Sequence, residues 1–297
     1  MSRLWAVVLI ATVAAASAAE TTRAPVTQPG RAETLALARA YPHAISDVEF
    51  RDGDWAILLR DQWFYWAHGR LLPEAERHNY EEYSAHRFYS YNPGLPPVRQ
   101  VDEETASRLR NRVVAMAEDP PTRHPGFLNT LYRAPTREAT HRQIVEYRFL
   151  GFRTQVHRDI VPHLERVAAD IAALDDPQIR EFLDGIRMIG AFSWRVIAGT
   201  GTRSYHSYGA ALDFIPLYYG RKHAYWRWAH NAGVEEWWAV PHERRWMPPL
   251  AVIEAFENHG FVWGGKWLSF DTIHFEYRPE IRILSRLHGP NRGRPAG

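Results

Sequence analysis

Three residues in the last third of the chain have side chains that bind metal ions. His206 and Asp213 lie in the segment SYHSYGAALD, and His274 lies further along in the segment DTIHFE. Two imidazole nitrogens and one carboxylate oxygen form a ligand set that a catalytic zinc uses when its remaining position is open to water. The local pair needs a third ligand from a distant segment, and His274 is the candidate. The sequence therefore predicts a Zn2+ site assembled from distant residues.

The segments around these ligands have the pattern of short strands. Residues 210–217 are mostly apolar apart from Asp213, which indicates a short buried strand. A lone carboxylate on the inward face of such a strand is costly unless it is paired or binds a cation. In residues 273–277 the two-residue period of a strand places His274 and Glu276 on one face. Two adjacent strands would then present the ligands, with Glu276 as a candidate partner that orients an imidazole.

These segments resemble the zinc D-alanyl-D-alanine peptidase family. The pattern Ser-x-His-x-x-Gly-x-Ala-x-Asp at residues 204–213 precedes Asp-x-x-His-Phe-Glu at residues 271–276. The likeness extends to Arg-x-Ile-x-Gly-Thr at residues 195–200 and to Gly-Phe-Val-Trp-Gly-Gly-Lys-Trp at residues 260–267. The family includes D,D-carboxypeptidases, D,D-dipeptidases and L-alanyl-D-glutamate endopeptidases, and its fold is related to the hedgehog signalling domain. The resemblance implies zinc-dependent hydrolysis of peptidoglycan stem peptides.

The resemblance also implies a role for each residue of the site. His206, Asp213 and His274 would be the zinc ligands, Asp271 the catalytic base and Arg195 the residue that steadies the oxyanion. A carboxylate near zinc-activated water can accept its proton and return it to the leaving amine. A permanently charged guanidinium can stabilise negative charge on the carbonyl oxygen. The alternative roles are a turn residue for Asp271 and a surface ion pair for Arg195.

The residues predicted to bind substrate are Ser204, Tyr205, Trp263 and Lys266. Ser204 and Tyr205 either contact substrate or hold the loop of His206, and the sequence leaves both roles open. Trp263 belongs to a Trp-Gly-Gly-x-Trp segment that resembles the endopeptidase branch. Lys266 stands where that branch usually has an acidic residue, and its ammonium could instead recognise the terminal carboxylate of a carboxypeptidase substrate. An aromatic insertion at residues 219–245 either borders the groove or covers the core.

The first residues have the pattern of a secretory signal peptide. Arg3 precedes an apolar run over residues 4–16, and small residues follow at positions 16–19. The run is too short to remain as a membrane anchor, so we predict a signal peptide over residues 1–19 and a secreted, periplasmic protein without a transmembrane anchor. The chain has no cysteine, which excludes a lipoprotein anchor and disulfide bonds.

Composition limits the remaining classes. A chain of 297 residues, 45% of them hydrophobic, is long enough for one large or two modest domains. A net charge of +2 predicts no nucleic-acid partner. We predict an α+β protein: an accessory region over residues 20–132 with a β-hairpin, then a zinc peptidase domain over residues 133–288 with helices packed on a small antiparallel sheet, and a loose tail over residues 289–297.

Two further expectations follow from the same sequence. The spacing of apolar residues predicts helices over residues 136–147 and 154–174. The alternative to an enzyme is a catalytically silent, zinc-containing module on the same scaffold that binds cell wall or protein. Asp271 and Arg195 favour the enzyme, because a silent module needs neither a base nor an oxyanion partner.

Overall fold

The computed structural model of the protein describes residues 29–288. The predicted signal peptide at residues 1–19 and the predicted tail at residues 289–297 lie outside this range. Within it, the strands form antiparallel sheets on which helices pack, so the predicted α+β class is confirmed. No helix among the described residues is both long enough and apolar enough to cross a membrane.

A four-stranded antiparallel sheet forms the centre of residues 29–132. The strands are β1 (Ile45–Arg51), β2 (Asp54–Leu59), β3 (Gln62–Tyr65) and β4 (Leu72–Pro73), and the helices are α1 (Arg31–Ala40), α2 (Glu103–Arg110), α3 (Arg112–Glu118) and α4 (Gly126–Leu131). The predicted hairpin is confirmed as the pair of β2 and β3, in which Leu59 lies opposite Gln62. Strand β2 is mostly buried because it pairs on both edges and α1 packs against it.

Residues 144–157 form a hairpin. The helices predicted over residues 136–147 and 154–174 extend into this hairpin, and the helices in the structure are shorter. The elements are α5 (Arg137–His141), β5 (Ile144–Phe149), β6 (Phe152–His157) and α6 (Val161–Ala173). In β6, Thr154 and Val156 are buried whereas Arg153 and Gln155 are exposed, which is the two-residue period of a strand. Because Val156 also continues the apolar spacing of α6, the two periods overlap in the sequence.

A second four-stranded antiparallel sheet positions the predicted ligands. Its strands are β7 (Ile186–Gly190), β8 (Ala211–Pro216), β9 (Phe261–Trp263) and β10 (His274–Tyr277), in the order β7-β8-β10-β9, and the nearby helices are α7 (Pro177–Asp184), α8 (Trp226–Asn231), α9 (Leu250–Asn258) and α10 (Pro279–His288). Helix α9 packs between the sheet and α6. Phe256 of α9 stacks on Phe275 of β10 with ring centroids 4.1 Å apart. This apolar contact fixes the strand that begins with His274.

The region before residue 133 and the predicted peptidase domain share one apolar core. A single buried cluster contains Leu37 and Ile57 from the first region together with Phe275 from β10. Helix α1 packs on α10, and the Tyr41 hydroxyl donates a hydrogen bond to Glu280 Oε2 at 2.8 Å. The N-terminal region therefore supports the end of the sheet that carries the ligands.

Candidate metal centre

Strand pairing brings Asp213 and His274 together. Strands β8 and β10 are antiparallel neighbours, and His274 lies directly opposite Asp213 in their register. Side chains of directly opposite residues share one face of a sheet, so the carboxylate and the imidazole project to the same side. His274 Nδ1 lies 2.9 Å from Asp213 Oδ1. The predicted pair of adjacent strands therefore places these two candidate ligands in contact.

A tight turn presents His206 to this pair. Residues Tyr205–Tyr208 form one turn of 3-10 helix, and Ser204 caps it by accepting a hydrogen bond from the His206 backbone N–H at 3.3 Å. Gly209 ends the turn with a φ of 67°, in the left-handed region. A Cβ atom at Gly209 would lie 2.7 Å from the backbone nitrogen of His157, so only glycine fits between the turn and strand β6.

One hydrogen bond fixes which nitrogen of His206 faces the site. His206 Nδ1 lies 2.5 Å from the carbonyl oxygen of Ala191, and because a carbonyl only accepts, Nδ1 carries the proton. The lone pair of Nε2 is then free to bind a cation. Nε2 lies 3.1 Å from Asp213 Oδ1 and 3.1 Å from His274 Nδ1. The three atoms form a nearly equilateral triangle.

The size and charge of this triangle fit a zinc ion. Its edges of 2.9 to 3.1 Å are slightly shorter than the separation of about 3.3 Å expected for tetrahedral ligands at zinc bond lengths. Burial disfavours charge on His274, yet hydrogen bonds to Asp213 and Glu276 raise its pKa to about 10. Burial alone would raise the pKa of Asp213, but the two imidazoles hold it well below its usual range. The site favours positive charge, and His206, Asp213 and His274 could hold a metal ion.

Glu276 orients His274 from the other side of the ring. Its Oε2 lies 3.2 Å from His274 Nε2, and the side chain is buried. Burial would raise the pKa of Glu276, but the His274 hydrogen bond and the charge of Arg278 lower it, so the carboxylate is ionised. An ionised acceptor at Nε2 holds the imidazole ring with Nδ1 toward the triangle, as carboxylates do behind many metal-binding histidines.

Asp271 stands beside the triangle with an unpaired buried oxygen. Its Oδ1 is buried and has no hydrogen-bond partner within residues 29–288. Such an oxygen is costly unless a substrate, water or ion satisfies it. Burial raises the pKa of Asp271 to about 7; nearby His274 opposes this rise, whereas the charge of Asp213 adds to it. An unpaired oxygen and a pKa near 7 are the properties of a group that can take up a proton near neutral pH.

A glycine permits the backbone path that places Asp271 there. The Asp271 N–H donates to the carbonyl of Gly264 at 3.0 Å, and Tyr225 pairs with Asp271 as an isolated bridge on another side. A Cβ atom at Gly264 would lie 2.5 Å from the Asp271 carbonyl oxygen, which is too close for any side chain. The segment that carries the candidate base is therefore held by backbone contacts.

Arg195 lies at the solvent side of the site. Its side chain is about half exposed, and one guanidinium nitrogen, Nη2, lies 3.8 Å from Asp213 Oδ2. The Arg195 backbone N–H donates to Ser207 Oγ at 2.8 Å, which ties this segment to the His206 turn. The ion-pair role and the site role coincide here, because the partner of Arg195 is a candidate ligand. A permanent positive charge therefore borders the metal centre.

Ser204 and Tyr205 hold the His206 turn in this structure. Both are buried, and the Ser204 hydroxyl is used in capping the turn. The guanidinium groups of Arg123 and Arg278 both lie over the ring of Tyr205, each 5.3 Å from the ring centroid. Of the two roles left open for these residues, the geometry favours the one that holds the loop.

The structure does not place Trp263 or Lys266 where a substrate could reach them, which corrects the predicted binding roles. Trp263 is fully buried, and its indole N–H donates to the carbonyl of Thr272 at 2.8 Å, close to His274. Lys266 is buried, with its ammonium 2.6 Å from Glu257 Oε1. A buried ammonium that already has an anionic partner has no free charge to offer a terminal carboxylate.

The aromatic insertion at residues 219–245 divides between the two roles left open for it. Its tryptophans at positions 226, 237 and 238 are buried in a small separate core. Trp228 is about half exposed and contacts both Tyr219 and Tyr225, the residue that pairs with Asp271. This smaller, partly exposed aromatic group adjoins Asp271 through Tyr225. The position of this aromatic group depends on how the loop returns to the sheet, and the residue types alone do not predict that path.

Comparisons with known proteins support the same segment. Residues 198–277 match the family described as D-alanyl-D-alanine carboxypeptidase, and this segment contains His206, Asp213, Asp271 and His274. Residues 33–88 match a family described as a domain of unknown function (DUF8518). No curated protein and no solved structure matches the chain. The C-terminal part of the chain is thus similar to a peptidase family.

Proposed function

We propose that this protein is a zinc peptidase that hydrolyses peptidoglycan stem peptides. The observation that carries the proposal is the convergence of His206 Nε2, Asp213 Oδ1 and His274 Nδ1 to within 3.1 Å of one another, inside the segment similar to a peptidase family. Zinc, when bound there, polarises a carbonyl and makes water nucleophilic near neutral pH.

Asp271 serves as the general base and then as the general acid. Its buried Oδ1 lacks a partner among the described residues and can accept a proton from an attacking water. A pKa of about 7 suits both directions of transfer near neutral pH, since the group gains and loses its proton with little cost. The same carboxyl then delivers that proton to the leaving amine.

Arg195 stabilises the charge that develops on the scissile carbonyl oxygen. Its cationic guanidinium borders Asp213 on the exposed side, where a substrate would enter. Because the side chain is about half exposed, it can turn toward a substrate without breaking a buried network. Stabilising this charge is commonly one of the largest single contributions to catalysis.

We propose cleavage within the stem peptide. The argument for a terminal cleavage rested on Lys266 as the group that recognises a free carboxylate. The Lys266 ammonium is buried against Glu257 and donates to the carbonyl of Asn92 at 2.9 Å, so it is committed to internal partners. The argument for internal cleavage is the resemblance of the Trp-Gly-Gly-x-Trp segment to the endopeptidase branch, and the description of the matched family as D-alanyl-D-alanine carboxypeptidase favours terminal cleavage instead.

We also propose that the protein acts in the periplasm. The charged start, short apolar run and small residues over residues 1–19 are typical of a cleaved signal peptide. Peptidoglycan lies outside the cytoplasmic membrane, so a substrate of this class and a secretory signal are mutually consistent.

The test is digestion of purified muropeptides by the mature, zinc-loaded protein, followed by mass spectrometry. We expect new fragments that carry a free amine, their loss with a chelator and their return with zinc. His274→Ala should give none. Zinc binding without any hydrolysis would instead support the silent binding module.

A further inference from the structure

We propose that Arg278 is a positioning residue for both histidine ligands and that it joins the metal centre to the N-terminal region. This inference rests on the proposed zinc site. Arg278 follows strand β10 directly, its side chain is buried, and each of its three guanidinium nitrogens has an acceptor. Two of those acceptors, Glu276 and Glu280, flank it in the sequence, and the third is the distant carbonyl oxygen of Arg87.

The first contact leads to His274. Arg278 Nη1 donates to Glu276 Oε1 at 3.3 Å, and the other oxygen of Glu276 lies 3.2 Å from His274 Nε2. A carboxylate held at one oxygen cannot rotate freely, so its second oxygen keeps a fixed position behind the imidazole. Partners in this position typically matter almost as much as the ligands themselves.

The second contact leads to His206. The Arg278 guanidinium lies over the ring of Tyr205, the residue directly before His206, and Arg123 from the N-terminal region lies over the same ring. A buried ring with two cations over it is held by their attraction to its π-system. Because Tyr205 begins the one-turn helix that carries His206, this packing fixes the turn.

The remaining contacts lead to the N-terminal region. Arg278 Nη2 donates to the carbonyl oxygen of Arg87 at 2.9 Å, and Nε donates to Glu280. The second oxygen of Glu280 accepts a hydrogen bond from the Tyr41 hydroxyl at 2.8 Å. Tyr41 and Arg87 both lie within residues 33–88, the segment that matches a domain of unknown function. The inference thus gives that segment a role, which is to support the metal centre.

The chemistry of this position requires arginine. A planar guanidinium donates in fixed directions to several acceptors at once, whereas a lysine ammonium is a compact charge that cannot span them. Arg278→Lys keeps the positive charge among the buried carboxylates but loses the planar set of N–H donors. It is therefore a milder change than removal of the charge, which would leave Glu276 and Glu280 uncompensated.

The test measures Co2+ affinity and the visible absorption of the Co2+ protein, whose bands report ligand geometry without any need for activity. We expect Arg278→Lys to bind Co2+ about tenfold more weakly than the wild type and with altered bands. Arg282→Lys is the matched control, since Arg282 lies one turn further along, in α10, and is largely buried but pairs with Glu257. The control should bind Co2+ as the wild type does.

Each outcome separates this inference from the proposed function. A wild-type protein that binds neither Co2+ nor Zn2+ overturns the metal site itself. A wild type that binds Co2+, beside an Arg278→Lys protein with the same affinity and bands, overturns the role of Arg278 alone. If Arg278→Lys does not fold, Tyr41→Phe takes its place, because it removes only the outermost hydroxyl of the chain of contacts. Unchanged Co2+ bands in Tyr41→Phe would then contradict the inference.

Discussion

Replacement of Asp271 by asparagine removes the candidate base while keeping the shape of the side chain. General acid–base catalysis typically contributes a factor of about 10² to 10⁴, so turnover of the zinc-loaded protein should fall by that amount. Zinc content should stay at the wild-type level, because Asp271 is not one of the three residues that could hold the ion. The assay is single-turnover release of muropeptide fragments, with zinc measured on the same samples.

The same substitution should stabilise the metal-free protein, and the size of the effect follows from burial. A pKa raised from 3.8 to about 7 corresponds to about 4 kcal/mol of destabilisation once the carboxyl is ionised. The folded state holds the proton more tightly than the unfolded state, so the cost is absent below about pH 3.8 and complete above about pH 7. The asparagine side chain of the Asp271→Asn protein does not ionise and avoids this cost at every pH.

Urea unfolding of the metal-free proteins at pH 5 and pH 8 measures this difference. We expect the advantage of Asp271→Asn to grow by about 2 to 3 kcal/mol between the two values. Asp170→Asn is a suitable control, because Asp170 is partly exposed and pairs with His259, which is not a residue of the site. Wild-type turnover in Asp271→Asn, or an advantage that does not change with pH, would refute the assignment of Asp271 as a buried base.

Three further predictions follow from the structure. In Gly264→Ala the new Cβ atom would approach the Asp271 carbonyl oxygen to 2.5 Å and should displace it. Turnover should therefore fall while zinc is retained, and unchanged turnover would contradict this. A stem pentapeptide and its C-terminal amide should be cut internally at equal rates, because Lys266 is buried; release of alanine from the acid alone would refute internal cleavage. Burial lowers the pKa of His163 to about 4, so at this residue the folded state binds fewer protons, and the contribution of His163 to stability should rise between about pH 4 and pH 6.5. His163→Gln should lose this contribution, so its urea midpoint relative to that of the wild type should fall as the pH rises from about 4 to about 6.5, and a constant difference would exclude His163 as a source of pH dependence.

The sequence alone predicted the parts of the site that local patterns encode. The apolar run around Asp213 and the alternation around His274 indicated strands, and the structure shows these strands as neighbours in direct register. Such patterns are visible because burial on one face of a strand imposes a two-residue period. They also gave the α+β class and the hairpin of the first region.

Local patterns failed where two periods overlap or where the partner of a residue is distant in sequence. The hairpin at residues 144–157 was missed because Val156 fits both a strand and the apolar spacing of α6. The sequence predicts substrate contact for Lys266 from its charge. The prediction fails because Lys266 is buried against Glu257, and no local signal links these two residues. The role of Arg278 is not visible in the sequence for the same reason, since it depends on contacts to residues as far away as Arg87.

The central claim is that His206, Asp213 and His274 bind one zinc ion. The most direct measurement is the zinc content and zinc affinity of the mature protein and of His206→Ala, by elemental mass spectrometry and competition with a chelator. The account predicts about one zinc per wild-type chain and a loss of tight binding in the variant, because two ligands cannot hold a catalytic zinc. A His206→Ala protein that binds zinc as tightly as the wild type would contradict it.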